Sequence, residues 1–175
     1  MVLKALVAFA SAALVAGCAA ASHGASQSGS VSSSTSVARV GQPAPPFDEP
    51  AVPSGTISLA ALHGKAVYLN FFATWCPPCN EEAPTLNDLQ KRYGSRGLQI
   101  VGVDVLENAR KAEQFRSQHD LTYPAVVDDG TLRNQYDVNG LPVHVFIDRN
   151  GVVRDVVVGE LSATDMRDHV LKLLR

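Results

Sequence analysis

The apolar, β-prone run Ala66-Val67-Tyr68-Leu69-Asn70-Phe71-Phe72-Ala73 leads straight into Trp75-Cys76-Pro77-Pro78-Cys79. The segment after it, Asn80 to Tyr93, reads as a helix, with Leu86 and Leu89 on its buried face and Pro84 expected to kink it. Proline suits a first helical position, where its missing N–H costs nothing. Cys76 is therefore expected at an exposed strand-to-helix junction, over free backbone N–H groups and the positive end of the helix dipole, where a thiolate is favoured. A strand, two cysteines two residues apart and a helix form a redox signature with a mechanism attached. A zinc knuckle needs two further Cys or His ligands at short spacing, and the chain has none there.

The third cysteine, Cys18, belongs to a different feature. Lys4 supplies a short positive segment, and Ala5 to Ala16 is apolar except for Ser11. That stretch is about half the ~20 residues needed to cross a bilayer, so it reads as a signal peptide. It ends in Leu14-Val15-Ala16-Gly17-Cys18, which resembles a bacterial lipobox, with Cys18 as the lipidated first mature residue. An ordinary signal cleaved after Ala21 is the alternative, since Ala19-Ala20-Ala21 supplies small residues. Ser22 to Ser36 holds eight serines in fifteen residues and cannot offset its own ordering entropy, so it reads as a flexible tether. The expected organisation is a signal over residues 1–17, a tether over 18–40 and one folded domain over 41–175. A net charge of −2 and a pI near 6.2 carry no nucleic-acid footprint. One close cysteine pair in the mature domain gives no disulfide framework, so the core must hold the domain unaided.

Arg39 to Ser54 carries five prolines and reads as an extended lead-in over the domain surface. Thr56 to Leu59 is a candidate short strand, Ala60 to Gly64 a turn, and 66–73 the central strand. Leu98 to Val105 reads as a strand and Ala109 to His119 as a helix with Phe115 inward. A short extended piece over Tyr123 to Val127 and a helical turn over Thr131 to Tyr136 follow. Val143 to Asp148 and Val152 to Val158 flank Asn150-Gly151, the strongest short hairpin signal. Ser162 is a candidate N-cap with Asp165 three residues on, ahead of the face Met166, Val170, Leu173, Leu174.

This order and these motifs resemble the TlpA/ResA/DsbE-like thiol–disulfide oxidoreductases of the thioredoxin superfamily. Phe71 to Cys79 resembles their active-site run, and Glu82 with Pro84 completes a C-x-x-C-x-x-E-x-P pattern. Gly140-Leu141-Pro142 stands where that family has a cis-proline loop, and Asp104 to Asp128 resembles an insert between the halves of the fold. Phe72, and Val143-His144 after the proline, depart from the usual pattern. The resemblance implies an α/β thioredoxin-like fold: a mixed central sheet flanked by helices, with an extra helix and strand. It implies a redox-active Cys76–Cys79 disulfide, with Cys76 attacking a partner's disulfide and Cys79 resolving the intermediate. Cys79 then needs a base. Typical thioredoxins place a buried Asp six residues before the first cysteine, but here that position is Asn70, which takes no proton. Glu82 lies three residues past Cys79 on the same helix face, where burial would raise its pKa, and is assigned as the acid/base. Pro142 is expected cis and facing the pair, Leu141 to pair with an incoming strand, Trp75 to form an apolar platform, and His144 to be structural.

Pro77 and Pro78 offer no N–H and no charge to the thiolate, which favours a reductant. The resemblance implies a lipid-anchored, monomeric enzyme of the bacterial envelope without cofactor or metal. Its partners would be disulfide-containing envelope proteins, with apocytochrome c and copper-handling proteins as candidate clients, and a membrane electron donor. Two other functions compete. A peroxiredoxin needs threonine and proline where Ala73 and Leu69 stand. A copper carrier would use Cys76, Cys79 and a histidine such as His144.

Overall fold

The computed structural model describes residues 37–175, so the signal, Cys18 and most of the tether lie outside the described residues. Seven strands form one mixed sheet in the order β2-β1-β5-β4-β3-β6-β7. The strands are β1 (Asp48–Val52), β2 (Thr56–Ser58), β3 (Ala66–Phe72), β4 (Leu98–Val105), β5 (Ala125–Asp128), β6 (Val143–Ile147) and β7 (Val153–Val158). The helices are α1 (Pro77–Tyr93), α2 (Ala109–Gln118), α3 (Thr131–Gln135) and α4 (Ala163–Leu173). This is the thioredoxin-like architecture expected from the sequence. β3 pairs parallel with β4 and antiparallel with β6, and the insert adds α2 and β5 beyond β4.

β3 is buried along its whole length, which is why it reads as an unbroken apolar run. Its alternate residues feed two cores. Ala66, Tyr68 and Phe72 pack with Leu86 and Leu89 of α1, Phe115 of α2 and Met166 and Val170 of α4. Val67, Leu69 and Phe71 pack with Phe47, Leu62, Leu132 and Tyr136 on the other face. Gly102 of β4 lets the Phe72 ring close over the sheet, since a Cβ there would stand 3.0 Å from the ring.

The proline-rich lead-in is more structured than its composition suggests. It contains β1, and it buries Ala44 and Phe47 against the second core. β1 is tolerated because its ladder to β5 begins at Ala51, after Pro50. α1 ends at Tyr93 with Gly94 as its C-cap, and a 3-10 turn over Gly94–Arg96 follows, ended by Gly97 at φ 95°. The hairpin lies where Asn150-Gly151 puts it, with Gly151 at φ 77°. Ser162 caps α4, its Oγ accepting from the Asp165 N–H at 3.2 Å. Among the described residues no helix is long and apolar enough to cross a membrane.

Candidate active site

β3 delivers the chain to the N-terminus of α1 at the C-terminal edge of the parallel strands. Cys76 is the N-cap, Pro77 and Pro78 are the first helical residues, and Cys79 lies one turn in. The cysteines are joined as a disulfide with Cα atoms 5.3 Å apart, and the Cys79 N–H donates to Cys76 Sγ at 3.3 Å. Cys76 is not exposed as expected. Both cysteines are 2% exposed, because the bonded pair is drawn into the apolar cluster under α1. The exposed group beside them is Trp75, at 70%. Trp75, Leu106, Arg133, Val138 and Leu141 line a recess of about 280 Å³. Leu106 is itself exposed and held at φ 58°, a conformation disfavoured for a branched side chain. The Leu141–Pro142 bond is cis and Pro142 is buried.

Below the disulfide lies a buried polar chain. Glu82 projects from α1 one turn past Cys79, 4% exposed, and its Oε1 accepts from the Leu161 N–H at 2.6 Å. Burial raises the Glu82 carboxyl to about 7; the Leu161 bond lowers it and the Glu160 charge adds to the rise. Its second oxygen has no hydrogen-bond partner and faces His144 Nε2 at 3.5 Å. His144 is fully buried; its Nε2 lies 3.1 Å from the Gly159 carbonyl and its Nδ1 2.8 Å from the Tyr68 hydroxyl. A carbonyl only accepts, so Nε2 carries the hydrogen and Nδ1 accepts from Tyr68. Burial holds His144 neutral, with its pKa lowered to about 4. Asn70 completes the chain, its Nδ2 3.4 Å from His144 Nδ1.

The fold thus brings Cys76, Cys79 and Glu82 together on one helix, and sets Trp75 and Leu141 on one groove. His144 is held in the core by Tyr68 and Gly159, and its ring also stands 3.5 Å from the candidate base. Its position two residues past Pro142 hints at this, but the contact follows from the β3–β6 register, which sets His144 opposite Asn70. A second link has no local signal at all. Glu107, past β4, grips Thr74 with both oxygens, at 2.6 Å from its N–H and 2.8 Å from its hydroxyl.

A buried cysteine pair at a helix start, beside a cis-proline loop on this sheet, defines a thioredoxin-fold thiol–disulfide oxidoreductase. The model of the AhpC/TSA family matches residues 40–156. The chain belongs to that family, and its relatives are named for the same activity. It is 34% identical over 136 residues to the thiol-disulfide oxidoreductase ResA of Bacillus cereus, covering 77% of this chain and 79% of that one. A putative thiol:disulfide interchange protein DsbE from Chlorobium tepidum superposes with a TM-score of 0.73 at 31% identity, over 79% of this chain and 99% of that one. A secreted Mycobacterium tuberculosis disulfide oxidoreductase homologous to DsbE does so with a TM-score of 0.67 at 26% identity, over 73% and 96%.

Proposed function

We propose that this chain is a lipid-tethered reductase of protein disulfides, working outside the cytoplasmic membrane. The supporting observation is the buried Glu82 carboxyl, one turn past Cys79, with a pKa near 7. In the reduced enzyme the Cys76 thiolate attacks one sulfur of the partner's disulfide and expels the other as a thiolate. Glu82 takes the proton from Cys79, whose thiolate attacks Cys76 Sγ and releases the partner's second thiolate. Two electrons pass to the partner, and the Cys76–Cys79 disulfide remains. A membrane donor then restores the dithiol. The groove between Trp75 and Leu141 receives the partner's chain, with Leu141 beside the cis-proline as its backbone contact.

The direction rests on Pro77 and Pro78, which give the thiolate no added N–H or charge. The location rests on the signal over 1–17, Cys18 and the tether over 18–40, and on the secreted relative. Apocytochrome c and copper-handling proteins are the candidate clients, and the enzyme acts as a monomer without cofactor or metal. A copper carrier fits less well, because both ring nitrogens of His144 are engaged by Tyr68 and Gly159.

A Cys79→Ser variant of the full chain, expressed in its own cell envelope, tests this reading. It should hold partners as mixed disulfides through Cys76, identified by mass spectrometry, and Cys76→Ala should hold none. Stoichiometric Cu(I) binding without disulfide turnover would replace the reductase reading with the carrier.

A further inference from the structure

Thr74 stands two residues before Cys76, and a single carboxylate holds it. Its N–H donates to Glu107 Oε2 at 2.6 Å and its hydroxyl to Oε1 at 2.8 Å. The carbonyls of Thr74 and Cys76 accept from Asn80 Nδ2 at 3.1 and 2.8 Å. The loop bearing Trp75 and Cys76 is therefore tied from β4's exit and from α1 alike. Behind Glu107 stands Asp104, near the end of β4 and 0% exposed. Neither Asp104 oxygen receives an N–H or O–H from the protein, so its buried carboxylate would be left without a donor.

The group that acts on it is Glu107, three residues on, whose charge and hydrogen bonding favour the protonated form of Asp104. Two neighbouring carboxyl groups, one of them fully buried, do not both ionise without cost, and one shared proton removes the repulsion. The geometry decides where the proton sits. Glu107 already takes two donors from Thr74 and suits the anion, while Asp104 has none and suits the acid. We propose that Glu107 is a positioning residue for the Trp75–Cys76 loop, and that it holds Thr74 as an anion braced by the O–H of Asp104.

The electrostatics agree with that division. Burial raises Asp104 to about 8, helped by the hydrogen bond to Glu107 and its charge, while Lys111 opposes. Burial pushes Glu107 up too, but the Thr74 bonds, the Asp104 bond and Lys111 bring it below the usual carboxylate value. Lys111, in the first turn of α2, is the one cation among the groups that act on the pair. Above pH 8 Asp104 loses its proton, a second negative charge faces Glu107, and the grip on Thr74 loosens. Only the pair, Lys111 and Thr74 enter this inference, so it stands apart from the role of Glu82.

The amide proton of Thr74 reads the device directly. In the oxidised protein no cysteine titrates, and ¹H–¹⁵N spectra from pH 6 to 9.5 should show this amide moving in one transition with a midpoint near pH 8. Asp104→Asn supplies a permanent N–H donor and should abolish that transition. Glu107→Gln should shift the amide upfield at every pH and lower kcat/KM for a protein disulfide several-fold at pH 7. Glu82→Gln should leave the midpoint in place. A wild-type Thr74 amide that does not move, or a transition that survives Asp104→Asn, overturns the proposal.

Discussion

Replacing Glu82 by glutamine should stabilise the oxidised protein at pH 8 and leave it nearly unchanged at acid pH. Folding raises the Glu82 pKa from an ordinary 4.5 to about 7. The folded state then holds this proton more tightly than the unfolded chain. Its contribution is fully present below pH 4.5 and is lost as the pH rises through 7. At 1.36 kcal/mol per pH unit, the difference between 4.5 and 7 corresponds to about 3.4 kcal/mol. The carboxyl is only partly shielded from solvent, which trims the effect to about 2 kcal/mol. Glutamine keeps an oxygen for the Leu161 N–H but carries no charge, so it escapes the penalty. Urea unfolding of both oxidised proteins at pH 4.5, 6 and 8 measures the difference. By pH 8 the variant's midpoint should move ahead by about 1 M, taking a slope near 2 kcal/mol per M. Asp104 and His144 titrate in both proteins and cancel to first order. Parallel stability–pH curves would refute the reasoning, since Glu82 would then ionise like a solvated carboxyl and could not accept the Cys79 proton near neutrality.

Trp75→Ala removes an exposed ring from the groove wall and should leave stability within about 0.5 kcal/mol while raising KM for a protein disulfide. A small disulfide reagent, which does not need the groove, should be reduced at the wild-type rate, and an equal loss on both substrates would remove Trp75 from partner binding. Asn87, buried on α1, donates to the Asp120 carbonyl at 2.8 Å and accepts from the Thr122 N–H and hydroxyl at 2.9 Å each. Asn87→Ala leaves those groups unpaired and should cost about 2–3 kcal/mol, with faster amide exchange in α2 and β5; a loss under about 0.5 kcal/mol would show that the insert does not depend on this tie.

Much of the fold was legible because it is written in short-range chemistry. The buried β3 run, Asn150-Gly151, the Ser162 cap and the cysteine pair at a proline-led helix start are local patterns, and each lies where its pattern placed it. β1 is not legible in the sequence because prolines signal a broken ladder, and only the late start of the β5 pairing makes room for them. The burial of Cys76 is hidden from the sequence for a related reason. A helix start is open to solvent by itself, but here an apolar cluster from distant strands and helices closes over it.

Sequence by itself determined the chemistry: two cysteines one helical turn apart, a carboxyl one turn further on, and a proline after Gly140-Leu141. Tertiary structure alone decided what surrounds them. The β3–β6 register sets His144 against Asn70 and so against Glu82, and the exit of β4 carries Glu107 onto Thr74 with Asp104 behind it. Those partners lie 33 to 74 residues apart, as the Thr74–Glu107 and Asn70–His144 contacts show. No propensity or spacing rule reaches that far. Strand pairing and loop closure bring such side chains together, and their burial then sets which carboxyl keeps its proton.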